Sequence, residues 1–398
     1  MKKLPYSRQN LYANDISAVT EVLKSDFITK GNKVQEFERA LADYCGARYC
    51  VVVNSGTAAL HLATLALSEG LTNKFVATSP ISFVSTANSI IYAKNNPLFV
   101  DIDENTFNMN SDELEAELTF TNNLQGQVRF NNDIIGIITV DMAGAPCDYE
   151  RFKSLADEYN TFLIRDACHS LGSEYKGHKA GSCKFADATI FSFHPVKAIT
   201  TGEGGAILTN RGDVWSKCME LRDHGQRGCV SFDKNDGWFR DMYTLGYNYR
   251  LTDIACALGI SQLKKLDDFI KIRRSIATEY DTLFRSFDGI TVPYENPDCK
   301  HAFHLYIIRI DWEKFNINRI DFGDELYFHR GITTQIHYRP IFLNTYYKEH
   351  HFHNPEYYPN AMKYYKECLS IPIYPRLDPN KVEYVANTIM NILERERK

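Results

Sequence analysis

The sequence predicts an α/β protein: a large domain on a mostly parallel sheet covered by helices on both faces, followed by a smaller α+β domain. Three observations predict it. Short, continuous apolar runs recur between segments of helical periodicity over the first two thirds of the chain, and strands buried on both faces read this way. The alternation stops near residue 250, where one long helical signal begins. With 398 residues, 44% hydrophobic and 24% charged, the chain can bury one large core and a second small one. The expected division is 1–265 and 266–398.

Taken in order, Asn14 is expected to cap a helix that places Ile16, Val19, Val22 and Leu23 on one face. Val34, Phe37, Leu41 and Tyr44 repeat the pattern and Gly46 stops it. "YCVVVN" reads as a strand, "TAALHLATLAL" as a helix, "FVATSP" as a strand, "SFVSTANSIIYA" as a helix and "PLFVDID" as a strand. "DIIGIITVDMAG" is a strand, "DYERFKSLADEYN" a helix, and "TFLIRDA" and "DATIFSF" are strands. From Leu251 to Phe284 the sequence reads as one helix, with Leu251, Ile254, Ala255 and Leu258 on one stripe. Asp378 is expected to cap a last helix, with Pro379 in its first turn and Val382, Val385, Ile389 and Ile392 inward.

Charge and cysteine usage narrow the function classes. The net charge of −5 repels a nucleic-acid duplex or an anionic membrane on average. No stretch approaches ~20 uninterrupted apolar residues. "MKKLPYSRQN" is followed by no apolar run and does not read as a secretory signal. A soluble, cytoplasmic protein is expected. The ten cysteines are scattered. Cys45 and Cys50 have no second pair to complete a zinc site, so no metal is expected and the thiols are read as buried and reduced.

Parallel sheets bind ligands beyond the carboxyl ends of their strands, and three such ends carry chemistry. In "VVVNSGTAAL" a strand stops and a helix starts at Ser55-Gly56-Thr57. Free amides and hydroxyls there suit a phosphate. It is not a nucleotide P-loop, for G-x-x-x-x-G-K-S/T is absent. In "LIRDACHS", Asp166 ends an apolar strand, where a carboxylate is costly without donors or a cation. In "FSFHPVKAITTGEGG", Lys197 follows a strand by four residues. No G-x-G-x-x-G accompanies it, so the dinucleotide fingerprint is missing. Each feature alone is ordinary: a capped helix, a solvated aspartate, a surface lysine. Together they meet the needs of pyridoxal 5'-phosphate. Its phosphate needs a helix start, its ring nitrogen an acid, and its aldehyde a lysine for a Schiff base. Phe83 is a candidate to cover the ring.

"NSGTAAL", "RDACHSLG", "FSFHPVKAITTGEGG" and "GYNYRLTDIACALG" resemble the signatures of the DegT-type nucleotide-sugar aminotransferases. The likeness runs from "SDFITKGNKVQEFE" to "IHYRPIF" and "LSIPIYP". It implies an aspartate-aminotransferase-like, fold-type I architecture. Within the family, "YSRQ", "PISFVSTAN" and "GSEYKG" most resemble the members acting in the pseudaminic acid pathway. Those take a UDP-linked 2-acetamido-2,6-dideoxy-hexos-4-ulose, with L-glutamate as the usual donor.

By resemblance, Lys197 would carry the Schiff base and act as acid and base, and Asp166 would bind the pyridinium nitrogen. Gly56, Thr57 and Ser192 would hold the phosphate, with Asn248 reaching in from a second subunit of a homodimer. Phe83 would stack on the ring and His169 would lie near its phenolic oxygen. Arg250 would receive the donor's carboxylate, and Tyr6, Lys30, His304 and Tyr338 would contact the sugar nucleotide. Relatives often have Glu where Arg165 precedes Asp166. Strand alternation should turn Arg165 away from the ring, and Cys168 is expected only to pack. Dehydratases of the family replace the lysine by histidine, which Lys197 argues against. An aminotransferase for another UDP- or dTDP-linked 4-keto sugar and a non-catalytic, cofactor-binding regulator remain alternatives. A nucleotide-dependent oxidoreductase lacks its glycine fingerprint.

Overall fold

The computed structural model describes residues 3–119, 133–226, 231–233, 237–351 and 353–398. Its large sheet is built from β1 (Tyr49–Val53), β2 (Phe75–Thr78), β3 (Asn96–Phe99), β4 (Ile134–Val140) and β5 (Phe162–Asp166). After the short strands β6 (Glu174–Tyr175) and β7 (His178–Lys179) it is completed by β8 (Ala188–Ser192) and β9 (Gly205–Thr209). The order is β1-β9-β8-β5-β4-β2-β3. Neighbours from β8 through β3 are parallel, whereas β9 runs antiparallel to both β1 and β8.

The strands read as continuous apolar runs because both faces are covered. Val52, Phe191, Ala206 and Leu208 join one apolar layer with Phe37 and Leu41. The alternate residues Val51, Val53, Ile190 and Ile207 join another with Leu60 and Leu62. Helices α2 (Asn32–Cys45) and α3 (Gly56–Leu67) supply those two layers. The chain passes through α4 (Ser85–Tyr92), α5 (Ser111–Thr119), α6 (Tyr149–Glu158) and α7 (Gly212–Arg222) between strands.

The first helix, α1 (Ala13–Leu23), forms for another reason than its apolar stripe. Its N-cap is Tyr12, not Asn14, and the Tyr12 N–H donates to Asp15 Oδ2 at 2.9 Å. Ile16 and Leu23 are exposed, and only Asp15 and Val22 are buried. What anchors the helix is charge. Asp15 accepts from Ser261 Oγ (2.6 Å), Gln262 Nε2 (2.8 Å) and Lys265 Nζ (2.7 Å). Burial raises the Asp15 pKa, but the Lys265 and Ser261 bonds outweigh it and hold the carboxyl below its ordinary value. A lowered folded-state pKa stabilises the fold above the unfolded value of about 4, and that stability is lost as pH falls through the folded value. Lys265→Met is therefore expected to cost about 1.5–3 kcal/mol at neutral pH. It should also move acid unfolding, followed by circular dichroism, to higher pH.

The long helical signal is two helices, α8 (Asp253–Leu263) and α9 (Leu266–Phe284). Neither glycine nor proline marks the break at Lys264–Lys265. The chain turns where the Lys265 amine bends back to Asp15 and to the Ser261 carbonyl (2.9 Å). On α8 the buried face carries Cys256, Ala257 and Gly259, while Ile254, Ala255 and Leu258 of the expected stripe are half-buried. β10 (Ser231–Asp233) and β11 (Gly237–Phe239) form a small hairpin. Beyond α9, β12 (Ile290–Thr291) pairs with β14 (Tyr306–Ile310) and β14 with β15 (Cys368–Ile371), all antiparallel. β13 (Cys299–Lys300) joins β6 instead. Tyr280 and Phe284 of α9 and Val382, Val385, Ile389 and Ile392 of the helix Pro379–Arg395 share the second core. Asp378 caps that last helix through the Asn380 N–H. The N-terminal segment also reaches this region, for Leu4 pairs with Ile332 and the Tyr6 carbonyl accepts from the Ile373 N–H at 2.9 Å. Among the described residues no helix is long and apolar enough to cross a membrane.

Candidate active site

At the carboxyl ends of β1, β5 and β8 lies a cavity of about 450 Å³. Lys197, Asp166, His169, Gly56, Thr57, Ser192, Phe83, Tyr6, His304 and Tyr338 all line it. Asp166 and Ser192 end β5 and β8, Gly56 and Thr57 open the helix after β1, and Tyr6, His304 and Tyr338 come in from the N-terminal segment and the C-terminal part of the chain.

The helix start of α3 forms one wall. Ser55 caps it, its Oγ accepting from the Ala58 N–H at 3.1 Å. No carbonyl of the same helix can reach the Gly56 and Thr57 amides of the first turn. A Cβ on Gly56 would lie 2.9 Å from Ser192 Cβ and 3.2 Å from Ser192 Oγ. One on Gly205 would lie 2.4 Å from the Ser55 carbonyl oxygen. Three segments therefore meet where only glycine fits, and the cradle is small and lined by donors. Gly56→Ala must push Ser192 aside. We expect it to weaken phosphate-dependent cofactor binding about tenfold, since overpacking costs about 1–3 kcal/mol. Fluorescence titration with pyridoxal phosphate would measure it.

Asp166 ends β5 and is buried. Its Oδ2 accepts from Thr86 Oγ1 at 2.7 Å and its Oδ1 from the Cys168 N–H at 3.2 Å. Arg165 points to the other face of the sheet, where its Nε donates to Asp141 Oδ2 at 2.8 Å. Cys168 lines the cavity rather than only packing, and burial keeps its thiol well above the ordinary pKa.

Lys197 sits in the turn after β8, its N–H donating to the His194 carbonyl at 2.9 Å. Burial of its amine lowers the pKa, with Cys168 and Asp166 opposing in part. A lowered value enlarges the neutral, nucleophilic fraction at neutral pH.

Histidines form the facing wall. The His169 and His304 rings lie 4.5 Å apart, and His169 Nε2 is 3.1 Å from the Tyr338 hydroxyl. Burial pushes both pKa values well below the ordinary histidine value, so both rings are neutral at pH 7. Each has an Nδ1 that is buried and unpaired among the described residues. His337, whose Nδ1 pairs with Ser370 Oγ at 2.8 Å, is pushed down to about 4 by burial and then by Lys197. Phe83 is 56% exposed, so its ring stands at the edge of the cavity, 6.2 Å from the Tyr338 ring.

Lys30, Asn248 and Arg250 are not brought to this cavity within one chain. Lys30 Nζ lies 2.9 Å from Asp223 Oδ2, and Arg250 also pairs with Asp223. The Asn248 carbonyl accepts from Asn54 Nδ2 at 3.4 Å, and Asn248 bridges to Asp223 along the backbone. The three form a cluster beside Asn54, next to the α3 cradle. Sequence reasoning missed Ser82, His194, Glu203 and His337, which also line the cavity, as does Ser55 of the expected helix start. His194 and Glu203 flank Lys197 in the same stretch, and this proximity was their only signal.

A resident pyridoxal phosphate makes three demands of its protein: an anion cradle, an acceptor for the ring nitrogen and an amine that is neutral enough to attack. The α3 start with Ser192, the fixed Asp166 carboxylate and the shielded Lys197 fit them in one enclosure. The chain is a pyridoxal-phosphate-dependent aminotransferase with the fold-type I architecture. It belongs to the DegT/DnrJ/EryC1/StrS aminotransferase family, whose model matches residues 9–390.

It is 40% identical over 395 residues to the UDP-4-amino-4,6-dideoxy-N-acetyl-beta-L-altrosamine transaminase of Campylobacter jejuni, covering 99% of each chain. Helicobacter pylori PseC, an aminotransferase involved in the biosynthesis of pseudoaminic acid, superposes with a TM-score of 0.90 at 32% identity, over 99% of this chain and 100% of that one. The pyridoxal-phosphate form of the putative sugar aminotransferase Spr1654 of Streptococcus pneumoniae follows at a TM-score of 0.85 and 29% identity, over 99% of each chain.

Proposed function

We propose that this enzyme moves an amino group from L-glutamate to C4 of UDP-2-acetamido-2,6-dideoxy-β-L-arabino-hexos-4-ulose, forming UDP-4-amino-4,6-dideoxy-N-acetyl-β-L-altrosamine for pseudaminic acid biosynthesis in the cytoplasm. The supporting observation for the chemistry is that Lys197, Asp166 and the Gly56–Ser192 cradle line one cavity. For the sugar, it is the end-to-end likeness to the Campylobacter enzyme.

Bound pyridoxal phosphate supplies an electrophilic carbon for the amine and a ring that takes up electron density. Asp166 accepts the ring N–H and keeps that nitrogen protonated. The Gly56 and Thr57 amides and the Ser192 hydroxyl hold the phosphate. His169, neutral, offers a ring nitrogen toward the phenolic oxygen, and Phe83 covers the ring from the cavity edge. Lys197 Nζ takes the proton from the glutamate α-carbon and later delivers one to sugar C4. Glutamate leaves as 2-oxoglutarate before the sugar enters, so ping-pong kinetics are expected. Tyr6, His304 and Tyr338 contact the sugar nucleotide. Lys30, Arg250 and Asn248 act across a homodimer: Asn248 on the partner's phosphate, Arg250 on the donor carboxylate, and Lys30 on the nucleotide.

The test is mass spectrometry of the purified enzyme with L-glutamate and a panel of UDP- and dTDP-linked 4-keto sugars. Preferred amination of the UDP-linked acetamido sugar is expected. Turnover confined to a dTDP sugar would overturn the substrate. Cofactor binding with no spectral response to glutamate would favour a regulatory protein.

A further inference from the structure

The residues that hold Asp166 are not explained by the reaction itself. Asp166 meets two donors, the Cys168 N–H on Oδ1 at 3.2 Å and the Thr86 hydroxyl on Oδ2 at 2.7 Å. Thr86 comes from α4, on another segment of the chain, and is fully buried. Its oxygen is also 2.7 Å from Ser82 Oγ, and Ser82 is buried yet lines the cavity.

The direction of this chain follows from proton counting. An ionised carboxylate only accepts, and each hydroxyl carries one proton. Thr86 therefore gives its proton to Asp166 and must receive one from Ser82. The order is Ser82 to Thr86 to Asp166. We infer that Thr86 is a positioning residue: with Ser82 behind it, it fixes the Asp166 carboxylate about its last torsion and leaves Oδ1, the more weakly engaged oxygen, for the cofactor's ring nitrogen. The inference rests on the reading of Asp166 as the ring-nitrogen partner. It adds a residue that touches neither cofactor nor substrate.

Thr86→Val keeps the shape and removes the donor. Hydrogen bonds to charged groups are among the strong ones, so about tenfold weaker cofactor binding is expected, by fluorescence titration of the cofactor-free enzyme. The induced circular dichroism of the bound cofactor should change with it, because the ring is no longer held at one angle. Thr86→Ser, which keeps the hydroxyl, should restore both. A residue that only packs would give the opposite order, since serine loses the methyl and valine keeps it. Should Thr86→Val fail to fold, Ser82→Ala is expected to weaken binding about threefold, the loss of one weaker neutral bond. Affinity and dichroism equal to wild type there would overturn the inference.

Asp166→Asn separates the two levels. If it disturbs the cofactor and Thr86→Val does not, the inference fails and the reading of Asp166 stands. If Asp166→Asn itself binds and orients the cofactor as wild type does, that reading falls and takes the inference with it.

Discussion

Replacing Lys197 by alanine is expected to lower transamination by about 10³-fold or more while the protein stays folded. General acid–base transfer by a placed side chain accounts for about 10²–10⁴ of an enzyme's rate, and in the proposed function Lys197 is also the nucleophile that would receive the cofactor. The three buried histidines of the cavity are poor substitutes. His169, His304 and His337 are neutral, but their lowered pKa values make them weak proton acceptors. Lys197 is the group whose burial moves its pKa toward neutrality from above. The variant should purify without the visible absorption of bound cofactor, take up added pyridoxal phosphate through the α3 cradle and Asp166, and show no glutamate-dependent turnover. Both cofactor-free proteins should melt cooperatively as folded proteins, which separates loss of chemistry from loss of fold. Activity within tenfold of wild type would mean that another group moves the proton, and the assignment of Lys197 would be wrong.

The contrast between Lys197 and its surroundings shows what a single sequence can reveal. Lysine after an apolar strand, aspartate at the end of another and a Ser-Gly-Thr helix start are chemically distinctive, and the parallel-sheet rule says that they converge. Ser82 and Thr86 carry no such mark. A hydroxyl in an amphipathic helix start has many uses, and only the 2.7 Å approach to Asp166 gives Thr86 one. The fold behaves similarly. Strands β1 to β5 and β8 were legible because both faces are apolar. Strand β9 was not, for Gly205–Thr209 follows directly on a glycine-rich turn and looked like its continuation. The helix break before α9 and the anchoring of α1 share one cause. Asp15 is 250 residues from Lys265 in sequence, and no local periodicity reports an ion pair between them. The placement of Lys30, Asn248 and Arg250 beside Asp223 was equally invisible, because the resemblance names their roles without saying where one chain puts them.

Breaking the buried pair behind the site is expected to destabilise the enzyme unequally, depending on which partner goes. Asp141 and Arg165 are 0% and 7% exposed by side chain, with Arg165 Nη2 2.6 Å from Asp141 Oδ2. Removing one charge of a buried pair costs about 3–5 kcal/mol, since the other stays desolvated and uncompensated. Asp141→Leu leaves the guanidinium with little more than the face of Tyr149, 4.2 Å away, so the full cost is expected. Arg165→Met leaves Asp141 with donors from Tyr149 Oη (2.5 Å), Ser170 Oγ and the Cys147 N–H (3.2 Å). Its cost should be smaller, about 2 kcal/mol, because hydrogen bonds to a charged group offset part of the desolvation. The double variant should be more stable than Asp141→Leu alone, the sign of coupling between contacting residues. Urea denaturation of the four cofactor-free proteins measures the cycle. Arg165 and Asp166 are adjacent on β5 and face opposite ways, so folded Arg165→Met should bind pyridoxal phosphate as wild type does. Loss of cofactor affinity there would show that Arg165 acts on the ring site, and an Asp141→Leu protein within about 1 kcal/mol of wild type would show that the pair does not carry the coupling assigned to it.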